Sequence, residues 1–186
     1  MASGPYLSAA QLSALQSTTC TSKRLVNVIY DSFGPNIVRP SAATFQCFGP
    51  PLFSTGGSPS GSSSPSWVAQ LNRVVCTFSA TALASTTIYV ACSAVTTSNF
   101  LNNQDSSIIG MVTIPHDKAG TEYTIDLSFE RPSIVGVNTS QLEDISFTFM
   151  TWNADKHMVP ADAWIAMDKQ LIVEMAFQRT NLMTFT

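Results

Sequence analysis

The chain has 186 residues, enough for one domain with a sizeable core. Charged residues make up only 11%, against about 25% in ordinary soluble domains, while the hydrophobic share is an ordinary 45%. The net charge of −3 excludes a binder driven by phosphate neutralisation, because no dense Lys/Arg cluster exists. No run reaches the roughly 18 apolar residues of a membrane helix.

Ser, Thr, Asn and Gln stand where charge is missing. A surface of that kind is poorly protected against association, so many of its faces are expected to be covered by partners. What charge exists is uneven. Up to Gln104 the bases Lys23, Arg24, Arg39 and Arg73 face Asp31 alone, whereas acids dominate the remainder.

In chain order, Ser8-Ala-Ala-Gln11 has the form of a capping box, and Leu12 and Leu15 follow on one helical face. Residues 1–23 are read as an N-terminal arm, a short helix or extended segment suited to docking on a neighbour; a locally packed turn fits the same residues. The start of the chain lacks the basic and apolar regions of a signal peptide. Residues 24–186 are expected to form one domain.

The first strand is Leu25 to Tyr30, stopped by Gly34-Pro35. The second is Ala42 to Phe48, stopped by Gly49-Pro50-Pro51. Ser54 to Ser66 is nearly all Ser, Gly, Pro and Thr, and reads as a long exposed loop. Trp67 to Leu71 is expected to make one helical turn capped by Ser66. Arg73 to Ala80 and Thr86 to Ala94 form the next two strands, and Ser106 to Ile114 the fifth, ended by Pro115.

The sixth run has the clearest period of two. Tyr123, Ile125, Leu127 and Phe129 should face the core, and Thr124, Asp126, Ser128 and Glu130 should face away. Ile145 to Trp152 is the seventh strand, with Trp152 expected in the core. Gln170 to Phe177 is the eighth, followed by the apolar tail Leu182 to Phe185. Eight strands with uneven connections and no βα alternation predict an all-β, eight-stranded antiparallel jelly-roll β-sandwich with a short N-terminal arm. An immunoglobulin-like sandwich is the rival, but its Cys–Trp–Cys signature is missing.

Chemistry-bearing constellations are scarce. His116 and His157, the two histidines, both fall in turns, and neither has a second ligand at metal spacing. Among many serines no GxSxG elbow occurs. Asp126 and Glu130 would lie about 13 Å apart along a strand, too far for a glycosidase pair. Glu143 and Asp144 are adjacent, so their side chains diverge. Gly56-Gly57 lacks the setting of a phosphate loop. Cys20, Cys47, Cys76 and Cys92 match no zinc pattern and read as reduced thiols, which leans toward intracellular synthesis. Asn138-Thr139-Ser140 fits a glycosylation sequon with no secretory signal to support it. The expectation is no catalytic residue, no cofactor, no metal and no enzymatic activity.

The strand order and spacing from Lys23 to Phe185 resemble the single-jelly-roll coat subunits of picorna-like plant viruses, the secovirids. The pattern is similar to the small coat protein of comoviruses and the small coat proteins of cheraviruses. The resemblance rests on a strand closing on Ile-Pro, Ile109-Gly-Met-Val-Thr-Ile-Pro115, and on the alternating strand Tyr123 to Phe129 that leads into a Gly- and Asn-containing loop. It also rests on Ile145 to Trp152 running into Asn153-Ala-Asp155, on the last strand Gln170 to Thr180, and on a short turn at Ser66 to Leu71. It implies an icosahedral shell in which different jelly-roll coat proteins alternate around single-stranded RNA, with weak or indirect RNA contact and no membrane partner. It also implies a virion protein made in host cytoplasm, with Met1 either an initiator or a polyprotein cleavage product. A carbohydrate-binding, lectin-like sandwich is the alternative, with Trp67, Trp152 and Trp164 as candidate sugar platforms.

Overall fold

The computed structural model describes residues 25–48, 66–80, 86–95, 99–101, 104–118, 120–130, 134–137 and 144–180. The arm over 1–23, the loop up to residue 65, Cys20, the sequon at 138–140 and the tail Leu182 to Phe185 lie outside the described residues.

The described residues are built from thirteen short strands. They are β1 (Leu25–Asp31), β2 (Ile37–Ser41), β3 (Thr44–Phe48), β4 (Ser66–Phe78), β5 (Thr87–Cys92), β6 (Asn99–Leu101) and β7 (Gln104–Ser106). Then come β8 (Ile108–Thr113), β9 (Tyr123–Ser128), β10 (Ile134–Val137), β11 (Asp144–Trp152), β12 (Met158–Pro160) and β13 (Leu171–Thr180).

One sheet runs β1-β13-β4, after which β10 and β9 both pair with β4. β10 takes the first part of β4, Trp67 to Gln70, and β9 takes the second, Arg73 to Phe78. The two together therefore act as one interrupted strand. The other sheet runs β2-β3-β11-β5-β8, with β12 beside β11. All these pairings are antiparallel.

The eight principal strands are β1, β3, β4, β5, β8, β9 with β10, β11 and β13. Counted that way, one sheet reads first, eighth, third, sixth, and the other second, seventh, fourth, fifth. Each sheet thus interleaves strands from both ends of the chain. This is the jelly-roll order, and the fold is an all-β jelly-roll sandwich.

Period-two sequence produces this directly. Along β11, Ile145, Phe147 and Phe149 are fully buried, while Ser146, Thr148 and Met150 point the other way. From the opposing sheet come Leu71, Val74, Cys76 and Phe78 of β4, and Leu171, Val173, Met175 and Phe177 of β13. The sheets touch across the core where the ring of Tyr30 in β1 packs 5.0 Å from that of Phe147. Phe45 adds a third ring 5.3 Å from Phe147.

The alternation of β9 holds as expected. Ile125 is buried, Tyr123, Leu127 and Phe129 are half-buried against the core, and Thr124, Asp126, Ser128 and Glu130 are exposed. Two expectations are corrected. Trp67 to Leu71 is not a helical turn but the opening of β4, because β13 and β10 bond it on both sides and the ladder overrides local propensity. Trp152 is not in the core. It falls out of phase with the buried positions of β11 and lies half-exposed on the outer face.

Two features lock the loops. Arg39 in edge strand β2 reaches the 161–170 connection, where its Nη1 donates to the Lys169 carbonyl at 2.5 Å. Its Nη2 donates to the Ala42 carbonyl at 2.8 Å and the Ala166 carbonyl at 3.3 Å. Asp162 completes the clamp by accepting the Ala43 N–H at 2.7 Å. Gly110 of β8 is paired with Val90 and sits against the opposite sheet. A Cβ there would overlap Leu71 Cδ2 and lie 3.3 Å from Phe129 Cζ.

We predict that Phe147→Ala, at a fully buried ring, destabilises the fold by about 3–5 kcal/mol, and that the half-buried Phe129→Ala costs clearly less. Equal losses in denaturant titrations would contradict this burial pattern. Gly110→Val should cost about 1–3 kcal/mol by overpacking. An unchanged unfolding midpoint would mean that Leu71 and Phe129 yield freely.

Candidate interaction surface

The titratable groups are dispersed. His157 closes the turn between β11 and β12, where its backbone N–H donates to Asn153 Oδ1 at 2.8 Å and its side chain is exposed. His116 opens the single-turn helix His116–Lys118. Asp126 is engaged by Arg73, whose Nε and Nη2 donate to its two oxygens at 2.7 and 2.6 Å. Those bonds hold the carboxyl below its ordinary range. Glu130 lies past the end of β9 and does not join it. Among the described residues no cluster of three His, Cys, Asp or Glu side chains is placed to hold a metal ion.

Cys47, Cys76 and Cys92 are free, buried thiols. Burial pushes Cys47 up to about 12, Cys92 up to about 11 and Cys76 further upward. A thiol kept protonated is neither a nucleophile nor a metal ligand. Tyr30 is raised by the same burial, and its hydroxyl has no hydrogen-bond partner among the described residues.

The chemistry of the molecule lies on its two outer sheet faces, and these differ. The strands β1, β4, β9 and β13 carry Asp31, Arg73, Asp126 and Glu174. Arg73 pairs with Asp126 and also feels Glu174. The strands β3, β5, β8 and β11 carry a single charged residue, Asp144, at the very start of β11.

Register assembles an apolar row on this second face. Pro160 pairs with Met150, Met150 with Tyr89, and Tyr89 with Met111. Two residues along β11, Trp152 pairs with Met158. Met111 is 61% exposed, and Tyr89, Met150, Trp152 and Met158 are half-exposed. Tyr, Trp and Met are the residue types enriched in the centre of protein interfaces, where charge is depleted. The sequence pattern indicated low charge, but it did not place these side chains together. They come from β5, β8 and the β11–β12 hairpin, three places apart in the chain that the register aligns. Trp67 and Trp164, the other tryptophans, pack half-buried against the core.

Neither a protein-family model nor a curated protein matches the chain. Among solved structures, the mavirus penton protein has a TM-score of 0.40 at 8% identity, over 52% of this chain and 35% of that one. The match therefore spans about a third of the penton protein's length. A chain of the Kashmir bee virus empty particle has a TM-score of 0.23 at 8% identity, over 86% of this chain and 91% of that one. The jelly-roll assignment itself rests on the strand order and register above.

The buried thiols yield a pH prediction. Unfolded thiols ionise near about 8.5, whereas native Cys47 and Cys92 hold their protons to about 12 and about 11. Groups raised in the folded state stabilise it fully below the unfolded value, and that stabilisation is lost as pH rises through the window above it. Native protein at pH 8 should leave Cys47, Cys76 and Cys92 unlabelled by a water-soluble disulfide reagent, with mass spectrometry locating each adduct. Rapid native labelling of any of the three would contradict their burial.

Proposed function

We propose that this chain is a structural coat subunit that assembles with other jelly-roll coat proteins into an icosahedral viral shell around single-stranded RNA. The observation that carries the reading is the pairing of a jelly-roll strand order with an outer sheet face that has one charge at its margin and a Met/Tyr/Trp row at its middle. An uncharged face loses its water at little cost, which suits a subunit with several neighbours. The resemblance to secovirid coat proteins supports the finer placement with picorna-like plant viruses, in a virion built in host cytoplasm.

RNA contact is weak or indirect in this proposal. Arg73 and Lys169 are committed to Asp126 and Glu122, and Arg39 to backbone carbonyls. These three bases therefore offer little positive potential of their own to phosphate. The chain has no enzymatic role in the proposal. Of the lectin-like alternative's candidates Trp67, Trp152 and Trp164, the first and last pack half-buried against the core, and Trp152 on the outer face is paired with Met158 rather than an acid, which favours a protein partner over a sugar.

Electron microscopy and sedimentation of material from the native source test the reading. Shells containing this chain are expected; a soluble monomer at high concentration, with no larger species, overturns it. Met111→Glu should lower particle yield about tenfold or more, the effect of a loss near 1.4 kcal/mol in association. Its melting temperature as an unassembled chain should stay unchanged, since Met111 is exposed. Normal particle yield from that variant would remove the β8 face from the contact surface.

A further inference from the structure

Five methionines fall among the described residues, and their positions differ. Met175 is fully buried in β13. Met167 is 52% exposed on the connection between β12 and β13. The other three share the outer face of the β11 sheet. Met111 of β8 is 61% exposed and pairs with Tyr89, and Tyr89 pairs in turn with the half-exposed Met150. Met158, also half-exposed, pairs with Trp152. Directly opposed residues on one face have Cβ atoms about 4.5–5.5 Å apart. Each of the three thioethers therefore has an aromatic residue as its cross-strand neighbour.

Leucine would supply nearly the same apolar volume at these positions. Methionine adds a polarisable sulfur that packs on aromatic rings and that can be oxidised. The thiols do not compete for an oxidant in solvent, because Cys47, Cys76 and Cys92 are buried and oxidation follows exposure. The product is a polar sulfoxide. The strands of this face, β3, β5, β8, β11 and β12, carry no basic residue. A sulfoxide oxygen pressed there against an apolar partner loses its water with no charged donor from this subunit in return.

We propose that Met111, Met150 and Met158 form a reversible oxidation site, at which hydrogen peroxide converts the row to methionine sulfoxides and so blocks association through this face. A sulfur lone pair attacks one peroxide oxygen. The O–O bond breaks and the S–O bond forms. The departing hydroxide takes the proton of the transferred oxygen and leaves as water. Each sulfur gives up two electrons, and the peroxide accepts them. Methionine sulfoxide reductases run the step backwards. A dithiol supplies two electrons and becomes a disulfide, and the oxygen leaves as water. The substrate is the unassembled subunit, because assembly covers the row. The proposal rests on the assembly reading above and states how that contact is regulated.

The test exposes the unassembled full chain to dilute hydrogen peroxide, removes the peroxide, and follows assembly by sedimentation. Peptide mass spectrometry locates each added oxygen. Met111, Met150 and Met158 should each gain one oxygen well before Met175, with circular dichroism unchanged. Particle yield should fall about tenfold or more, and the two sulfoxide reductases, one for each epimer, should restore it. The triple variant Met111→Leu, Met150→Leu, Met158→Leu should keep its yield after peroxide even though Met167 is oxidised. Met167→Leu should stay as sensitive as the wild type. Oxidation of the three sites no faster than that of Met175, or an equal loss of yield in the triple variant, would each overturn the proposal. Full yield from the oxidised wild type would sink the proposal and leave the assembly reading standing. Failure of the untreated wild-type chain to form any particle would sink both.

Discussion

Everything in this molecule depends on two central strands, β11 and β13, each hydrogen-bonded on both sides and each giving its alternate side chains to one shared core. β13 pairs with β1 over 172–178 on one side and with β4 over 171–180 on the other, with one register shift between Glu174 and Met175. β11 binds β3 and β5, and then β12. Their inward residues, Phe147 and Phe149 on one side and Val173, Met175 and Phe177 on the other, are fully buried. Interiors pack at crystal-like density, so the two faces must match in shape. That is why a glycine stands at position 110, where β8 comes close to Leu71, and why the loop over 161–170 is tied down through Arg39 and Asp162.

Once the core takes the inward residues, the outward ones are free to differ between the sheets. The sheet containing β13 spends its outer face on charge, with Arg73 bridging Asp126 and lying near Glu174. The sheet containing β11 leaves that option unused and places methionine, tyrosine and tryptophan in register instead. A face of this kind is a liability for a solitary protein, and it suits one of several contacts in a shell. Among the described residues the three thiols are buried and the carboxylates are dispersed.

The eight apolar runs legible in the sequence correspond one for one to the eight principal strands of the two sheets. The reason is that a half-buried strand must alternate, and the eight runs do so visibly. Where the signal was short or interrupted, it failed. β2, which contains Arg39-Pro40, has no counterpart among the eight runs; the proline is tolerated because this is an edge strand with a register shift between Val38 and Ser41. β10 has only four residues and gains its identity from β4. Trp67 to Leu71 has a helical local pattern, and two neighbouring strands pulled it into the extended form.

The sequence by itself determined the class of fold, the inward face of β9 and the scarcity of charge, because these follow from side-chain period and composition. Only the tertiary structure decided which strands are neighbours, since hydrogen bonding between backbones carries no sequence label. That pairing brings Met111, Tyr89 and Met150 into one row although they are far apart in the chain. It also turns Trp152 outward, one residue out of phase with Thr151.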